Sequence, residues 1–380
     1  MAKRPTIVDI ADALGVSIST VHRALKGDAN TTAMTRNRVL QMAKQLGYKP
    51  NLAARFLSSK RSLRISINTP KGETSFWDEV RAGIEDERDS LDLENVQLEH
   101  RIYPHLGDRE LAEFEAALDK RVDGIVAYPS DPTGLKPLMR RAARENIPVV
   151  FVATDAPDTG RLAVVSIDTA ASGSLAADMM ARILQGRGKV AVTLFAANVL
   201  EHAEKYRAFQ RTMEKLYPGI KVLPPVEDQG EDSISYKAFR KVLTDHHDLA
   251  GVYVTTEESL PVIRAARDMK RLDKLTMVTT DLFTDLVNEI RSGVVTATIY
   301  QRPRTQGSMA FRVLHEFLVE SECPPRRITF APHLVMRGNL DFFLTKASLD
   351  SEPRRVRAKS GARQSGSKER SLYSARGVSK

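Results

Sequence analysis

The chain has 380 residues, a formal net charge of +9 and a single cysteine, Cys323. One cysteine excludes an intramolecular disulfide, the amino terminus shows no apolar run of the signal-peptide type, and no segment reaches transmembrane length. We therefore expect a reduced, cytoplasmic protein rather than an exported or membrane-bound one.

Basic charge is concentrated at the two ends of the chain. Residues 1–64 contain twelve Lys or Arg and three Asp, residues 351–380 carry a net charge of +7, and the residues between them a net charge of −7. A basic amino-terminal segment is the electrostatic signature of a nucleic-acid partner, whereas a mildly acidic middle is an ordinary solvated surface. The tail is rich in Ser, Gly, Arg and Lys, and we expect residues 346–380 to form a basic disordered tail.

The first helical pattern is interrupted by a glycine. Apolar residues recur at helical spacing on both sides of Gly15: Ile10, Ala11, Leu14, Val21, Ala24 and Leu25. Gly15 suits a tight turn, and the hydroxyl of Ser17 can cap the second helix. The pattern predicts a helix-turn-helix, whose second helix can enter the DNA major groove. An ordinary helical hairpin is the alternative for these twenty residues alone.

A third helix and a short basic helix follow. Thr32 is the predicted N-cap of the third helix, whose apolar positions at spacings of three and four precede Gly47: Val39, Met42, Ala43 and Leu46. Pro50 then begins a stretch in which Ala53, Ala54 and Leu57 share one face and Lys60 and Arg61 follow. A helix this short is marginal in isolation, so we expect it to fold only on a partner.

From residue 64 onward, short apolar strands alternate with amphipathic helices. RISINT, VQLEHRI, DGIVAYP and PVVFVA are separated by helical patterns near 75–90, 108–119 and 133–145. A second series contains KVAVTLFA, KVLPPV, GVYVTT, TMVTTD and TATIY. This βαβ alternation predicts two parallel sheets of five or six strands, and hence two lobes.

The order of helix-turn-helix, third helix, PN-x-x-AR-x-L and parallel-sheet domain resembles the LacI/GalR (lactose repressor and galactose repressor) family over residues 4 to about 345. The resemblance implies an α/β two-lobed periplasmic-binding-protein type 1 fold, in which the chain crosses between lobes near residues 168, 300 and 330. It divides the chain into a DNA-binding domain (1–49), a hinge helix and linker (50–63), a ligand-binding and dimerisation domain (64–345) and the tail.

The resemblance also implies roles in DNA binding. It places base contacts in the major groove at Ile18, Ser19, His22 and Arg23, backbone contacts at Thr6, Ser17 and Asn51, and a minor-groove hinge at Ala54 and Leu57. An apolar side chain wedged between base steps unstacks them and bends the duplex. Two alternatives stay open: Leu57 packs on protein, or Arg23 contacts only phosphate.

Effector-binding positions follow from the ends of strands, where ligands bind in such folds. The candidates are Phe76, Trp77, Asp155, Lys205, Thr256, Glu257, Asp281 and Gln301. The resemblance implies that the polar members bond sugar hydroxyls and that the aromatic rings stack on a sugar face. Lys205 replaces an arginine fork, and Thr256 stands where many members have asparagine. Packed core for the aromatic pair, and a salt bridge or cap for each polar residue, are the alternatives.

These observations predict a homodimeric, ligand-responsive repressor of carbohydrate uptake or catabolism genes. It would bind a pseudo-palindromic operator in the bacterial nucleoid and a sugar or sugar derivative, with no cofactor, metal or membrane. One alternative is a carbohydrate-cleft enzyme with Asp155, His202, Glu257 or Asp281 as acid and base. The chain has no glycine-rich phosphate loop, HExxH, CxxC or GxSxG motif to support it. The others are a nonspecific architectural DNA-binding protein and a transport-type solute-binding protein.

Overall fold

The computed structural model describes residues 7–26, 31–46, 62–72, 76–91, 93, 95–104, 106–197, 199–320 and 322–344. The predicted hinge residues Ala54 and Leu57, the predicted backbone contacts Thr6 and Asn51, and the carboxy-terminal tail lie outside these residues. None of the described helices is both long and apolar enough to cross a membrane.

Three short helices form the amino-terminal head: α1 (Ile7–Leu14), α2 (Ile18–Lys26) and α3 (Ala33–Gln45). Their predicted apolar faces meet in one small core of Ile10, Ala11, Val21, Ala24, Val39 and Ala43. Gly15 has φ of +64°, which confirms the permissive turn between α1 and α2. The prediction that Leu46 belongs to the apolar face of α3 is wrong, because α3 ends one residue earlier and Leu46 is 37% exposed.

Lobe 1 is built from the first half of the remaining chain. In chain order its elements are β1 (Leu63–Pro70), α4 (Phe76–Ser90), β2 (Val96–Tyr103), α5 (Glu110–Asp119), β3 (Gly124–Ala127), α6 (Pro132–Arg144), β4 (Val149–Val152) and β5 (Ala163–Ile167). Neighbouring strands pair in parallel, and helices cover both faces. β1, β3, β4 and β5 are almost wholly buried, as expected for strands covered on both faces, whereas the edge strand β2 is buried only at its two ends.

Lobe 2 repeats this plan. Its elements are α7 (Thr169–Ile183), β6 (Gly188–Leu194), α8 (Leu200–Leu216), β7 (Ile220–Val222), β8 (Val226–Glu227), α9 (Asp232–Asp245), β9 (Leu249–Val254), α10 (Ser259–Asp268), a 3-10 turn (Leu272–Lys274), β10 (Thr276–Thr280), α11 (Thr284–Ser292) and β11 (Ala297–Tyr300). The single strand predicted at KVLPPV is wrong: Pro224 and Pro225 lack the amide hydrogen that a ladder needs and lie between β7 and β8.

The chain then returns to lobe 1 as α12 (Pro303–Glu320) and β12 (Arg327–Phe330), and ends in lobe 2 with β13 (His333–Val335) and α13 (Leu340–Leu344). The described strands give the order β12-β5-β4-β3-β1-β2 in lobe 1 and β13-β11-β10-β9-β6-β7 in lobe 2, with β8 also paired to β6. The chain therefore passes between the sheets after β5, β11 and β12, near residues 168, 300 and 330.

Glycines bring one pair of helices into close contact in each lobe. A Cβ on Gly307 of α12 would lie 2.0 Å from the carbonyl oxygen of Val80 in α4, and a Cβ on Gly173 of α7 would lie 2.1 Å from the carbonyl oxygen of Lys205 in α8. Such distances are far below van der Waals contact, so only glycine allows these backbones to approach. The second pair fixes the position of α8, which carries a side chain of the cleft between the lobes.

Candidate functional site

The exposed face of α2 carries most of the predicted base-reading positions. Ile18 is 47% exposed, and Ser19 and Arg23 are also exposed. His22 occupies the turn between them in α2. The hydroxyl of Ser17 accepts a hydrogen bond from the Thr20 amide at 3.1 Å, which confirms the predicted cap. Ile18 at the start of α2 and Arg23 in its second turn provide apolar and basic contact surface.

A chain of buried hydrogen bonds lies at the carboxyl edge of the lobe 2 sheet. The Lys205 ammonium on α8 donates to Glu201 Oε1 at 2.5 Å, to the Thr255 carbonyl oxygen at 3.2 Å and to Gln301 Oε1 at 2.9 Å. Gln301, directly after β11, donates through Nε2 to Asp281 Oδ2 at 2.8 Å. Lys205 is fully buried, and the other three residues that contribute side chains to this hydrogen-bond network, Glu201, Asp281 and Gln301, are each 5% exposed. The predicted residues Lys205, Asp281 and Gln301 therefore lie together.

Asp281 stands at the end of this chain with one oxygen unused. It follows β10 with φ of +68°, a left-handed conformation in which its amide donates to the Ile299 carbonyl oxygen at 2.9 Å. Its Oδ1 is buried and has no hydrogen-bond partner among the described residues. Burial raises the pKa of Asp281 to about 7, although Lys205 and the hydrogen bond from Gln301 act in the opposite direction. A ligand that donates a hydrogen bond would satisfy this oxygen.

Lobe 1 contributes aromatic rings to the same place. Trp77 and Tyr128 meet edge to face with centroids 4.8 Å apart. A Cβ on Gly72 would lie 2.6 Å from Trp77 Cδ1 and 3.5 Å from Glu257 Oε1, so Gly72 separates the tryptophan from a lobe 2 carboxylate. The pKa of Tyr128 is raised by burial and by the nearby charges of Glu201 and Glu257. Both lobes therefore converge on one cleft.

The aromatic pair is also part of the lobe 1 core. Phe76 and Trp77 are 8% and 5% exposed and pack in the apolar cluster of that lobe, as the alternative interpretation expects. Trp77 also reaches the cleft beside Gly72. Phe76 packs edge to face against Trp77 in the core of lobe 1.

The structure places two predicted polar residues in local hydrogen bonding. Both carboxylate oxygens of Asp155 are used: Arg161 donates to each of them, and Arg327 Nη2 donates to Oδ2 at 2.7 Å. Thr256 Oγ1 accepts from the Glu258 amide at 3.2 Å, which stabilises the turn after β9. For Asp155 and Thr256, the salt bridge or cap that was the alternative to ligand binding is therefore observed.

Three buried polar residues at or just beyond the carboxyl ends of strands were not predicted as effector ligands. Glu201 lies four positions before Lys205, a spacing that on a helix signals an ion pair, and Tyr128 follows β3 directly. Asp228 follows β8 and is fully buried; its Oδ1 accepts from the Gly230 amide at 3.1 Å, its Oδ2 has no partner among the described residues, and burial raises its pKa to about 7.

His202, considered above as an acid or base, is buried beside Phe195 with ring centroids 6.1 Å apart. Burial lowers the pKa of His202 to about 4, so the imidazole is neutral at physiological pH. A general base works best with a pKa near the working pH, and this arrangement moves the imidazole away from it.

Comparison with known proteins identifies the class of each domain. Residues 6–51 match the family of bacterial regulatory proteins of the lacI type, and residues 65–322 match the periplasmic binding protein domain. The chain belongs to the LacI family. This family assignment makes the head a helix-turn-helix DNA-binding domain and the two lobes a sugar-binding-protein-like domain of a transcription regulator.

Named relatives of this LacI-family regulator include catabolite control protein A of Priestia megaterium, 28% identical over 69% of this chain and 77% of the relative. Catabolite control protein A of Staphylococcus aureus is 25% identical over 88% of this chain and 98% of the relative. The solved structure of a glucose-galactose binding protein from Geobacillus stearothermophilus matches 74% of this chain and 99% of the binding protein, with 21% sequence identity and a TM-score of 0.69. That likeness shows the two-lobed fold.

Proposed function

We propose that this LacI-family regulator is a sequence-specific repressor whose affinity for its operator is set by a small polar ligand between the lobes. The observation that carries the ligand part of the proposal is the buried, unpartnered Oδ1 of Asp281 at the end of the Lys205 hydrogen-bond chain. An unsatisfied buried acceptor costs about 1 to 3 kcal/mol, which a bound donor returns. A buried polar cleft of this kind has no evident purpose in a nonspecific architectural protein.

In this proposal each predicted DNA-binding residue keeps its sequence-derived role. Base contacts come from Ile18, Ser19, His22 and Arg23, backbone contacts from Thr6, Ser17 and Asn51, and the minor-groove hinge from Ala54 and Leu57. The exposure of Ile18, Ser19 and Arg23 on α2 supports the first group, since these side chains are accessible to a partner. A homodimer then presents two such helices to the halves of a pseudo-palindrome.

The effector is a sugar or a related polyol, and the regulated genes serve carbohydrate uptake or catabolism. Support comes from the relatives named for catabolite control and from the two-lobed fold shared with a glucose-galactose binding protein. Glu257, Asp281 and Gln301 bind its hydroxyls and Trp77 packs against it. Lys205 holds Gln301 in place through the hydrogen bond to Oε1, while Phe76, Asp155 and Thr256 hold the surrounding structure.

Coupling between the two sites follows from the division into a head (1–49), a hinge and linker (50–63) and the two lobes (64–345). Ligand binding changes the angle between the lobes and moves the two hinge segments of the dimer, which favours or disfavours their helical state on DNA. The ligand shifts this equilibrium only by its different affinity for the two states. The regulator acts in the bacterial cytoplasm, where its operator and the sugar pool meet.

The test is to incubate the purified full-length protein with sheared genomic DNA from its source at physiological salt, with and without a panel of sugars, and to sequence the retained fragments. A shared inverted repeat near carbohydrate genes, retained to a degree that one sugar changes, is the expected result. Retention without a common motif, unaffected by any sugar and lost at moderate salt, would contradict the proposal, because phosphate-dominated binding behaves in this way.

A pair of variants separates base reading from charge. Arg23→Ala should weaken binding to the recovered repeat by about 1 to 3 kcal/mol while affecting unrelated DNA little. Arg38→Ala removes an equally exposed arginine from α3 and is the matched control, because a lost phosphate contact weakens all sequences alike. If Arg23→Ala lowers the affinity for the repeat and for unrelated DNA equally, Arg23 contacts phosphate and does not read bases.

A further inference from the structure

Three carboxyl groups lie around the cleft. Glu201 and Asp281 are carboxylates that are 5% exposed, and Glu257 is a half-buried carboxylate beside Gly72. The charges of Glu201 and Glu257 both raise the pKa of Asp281, which places all three within one electrostatic neighbourhood. The ammonium of Lys205 is the only positive charge in the buried hydrogen-bond chain described above.

Lys205 has no hydrogen left for a ligand. An ammonium group has three N–H donors, and the structure gives each of them an acceptor: Glu201 Oε1, the Thr255 carbonyl oxygen and Gln301 Oε1. A bound phosphate or carboxylate would have to take one of these donors from a partner that is itself buried. The lysine therefore compensates the carboxylate charge of the protein rather than that of a ligand.

Two arginines near the cleft also make contacts with the protein. Arg81 donates to Thr69 Oγ1 and to the Pro70 carbonyl oxygen, both at 2.9 Å, and to Asp78 at 2.5 Å. The Arg302 guanidinium lies over the Phe330 ring of lobe 1 at 5.2 Å. Lys71, which precedes Gly72, is exposed, so water screens its charge.

Two unpartnered carboxylate oxygens lie at the carboxyl edge of the lobe 2 sheet. Oδ1 of Asp281 and Oδ2 of Asp228 are buried carboxylate oxygens without a hydrogen-bond partner among the described residues. Burial raises the pKa of both carboxyl groups to about 7, and a bound hydrogen-bond donor favours the ionised form, which accepts hydrogen bonds and donates none. Resting on the proposed role of the cleft as the effector site, we infer that it binds a ligand rich in hydrogen-bond donors and free of negative charge, an uncharged polyol or an amino sugar, and excludes phosphorylated and carboxylated sugars.

An anion brought into this cleft would face at least two buried or half-buried carboxylates in a low-dielectric setting. Juxtaposed like charges in an interface cost several kcal/mol, which corresponds to a preference of at least about a hundredfold for the uncharged form of a ligand. An ammonium group on the ligand would instead be attracted.

The test is calorimetric titration of the full-length protein with matched ligands that share a ring and differ in charge. The neutral set is D-glucose, D-galactose, D-ribose and myo-inositol; the cationic set is D-glucosamine and D-galactosamine; and the anionic set is the 6-phosphates and uronic acids of the same hexoses. We expect at least one neutral or cationic member to bind and its anionic counterpart to bind at least about a hundredfold more weakly. Anionic binding of equal or greater strength in the cleft, or no binding by any neutral or cationic member, would overturn the inference.

Two substitutions at opposite ends of one strand locate the binding. Asp281→Asn, beyond the carboxyl end of β10, should lower the affinity of the neutral ligand about tenfold or more. Asp273→Asn, in the exposed turn before β10, removes the same charge outside the cleft and should leave the affinity unchanged. Should Asp281→Asn fail to fold, as judged by circular dichroism, Glu257→Gln at the half-buried edge carries the same expectation; equal affinity in the folded variant and the control contradicts the inference.

A cavity outside the cleft requires its own control. A space of about 420 Å³ at the junction of the lobes is lined in part by Arg207, Arg211 and Arg327. If the double variant Arg207→Gln, Arg211→Gln abolishes anion binding and Asp281→Asn leaves it intact, the anion binds in this cavity, and its exclusion from the cleft is supported. If Asp281→Asn changes anion binding, the inference is overturned. The DNA-retention experiment and these titrations are independent of each other. If a specific repeat is recovered and an anionic ligand binds in the cleft, the proposed regulation by a ligand stands and this inference is refuted.

Discussion

Glu110 shows how a single buried carboxyl group makes stability depend on pH. It begins α5, is 3% exposed, and accepts from the Ser130 amide at 3.1 Å, two residues after Tyr128. Burial raises the pKa of Glu110 to about 7. Between the ordinary pKa of a glutamate and about pH 7, the folded protein binds more protons at Glu110 than the unfolded chain does. Its contribution to the free energy of unfolding therefore falls as pH rises through that interval.

Glu110→Gln should remove this contribution. We expect the substituted protein to lose less stability between pH 5 and pH 8 than the parent, by an amount on the order of 3 kcal/mol for a shift of this size. Urea unfolding at several pH values measures it, and Glu113→Gln, on the same helix and less deeply buried, is the control. Identical pH dependence in parent and Glu110→Gln would show that this carboxyl group titrates normally.

Lys205 carries a different prediction at the scale of one residue. Lys205→Met keeps the length and apolar stem of the side chain but leaves the buried Glu201 without its counter-charge. Breaking a buried pair in this way costs about 3 to 5 kcal/mol at neutral pH. Lys215→Met, in the last turn of the same helix and exposed, should change stability by less than about 0.5 kcal/mol. Equal unfolding midpoints for the two variants would mean that the Lys205 pair contributes nothing.

At the scale of elements, glycine contacts decide how helices pack. An alanine in a helix is normally more stable than glycine by about 0.5 to 1 kcal/mol, but a Cβ on Gly173 would collide with the carbonyl oxygen of Lys205. We expect Gly173→Ala to destabilise the protein by about 1 to 3 kcal/mol and to weaken ligand binding, because α8 must move and Lys205 moves with it. Gly307→Ala, the equivalent contact in lobe 1, should destabilise similarly with a smaller effect on ligand affinity.

Chemical unfolding and calorimetric titration of both glycine variants make this comparison. Gly338→Ala is the neutral control, since a Cβ on Gly338 would meet no atom within 4 Å. Gly173→Ala as stable as the parent would show that α7 and α8 have room to separate. A loss of ligand affinity as large in Gly307→Ala as in Gly173→Ala would show that the effect is general rather than transmitted through Lys205.

The elements themselves were largely readable from the sequence, because each depends on a local pattern. Buried parallel strands are continuous apolar runs, and α4, predicted near 75–90, is observed at Phe76–Ser90. The partners that come from distant parts of the chain were not readable, because no local pattern specifies them. Asp155 illustrates this: its strand-end position matched a ligand site, but its oxygens bond Arg161 and Arg327, the latter 172 positions away.

Tyr128 and Glu201 illustrate the opposite error. A tyrosine after a buried strand and a glutamate on an amphipathic helix are each explained by ordinary packing or solvation. Only the approach of lobe 1 to lobe 2 gives them a shared environment, seen in the raised pKa of Tyr128. Contacts between two separately folded lobes leave no periodicity in the sequence.

For the whole molecule, the decisive property of the proposed function is coupling between cleft and head. If the ligand changes operator affinity by a given factor, bound operator must change ligand affinity by the same factor, typically about 5- to 150-fold for a coupling of 1 to 3 kcal/mol. We expect titrations of the neutral ligand into free protein and into the protein–operator complex to differ by the factor that the ligand imposes on operator binding. Asp281→Asn should lower ligand affinity without lowering operator affinity in the absence of ligand, and Arg23→Ala should do the reverse. A factor of one in both directions would show that the cleft and the head act independently.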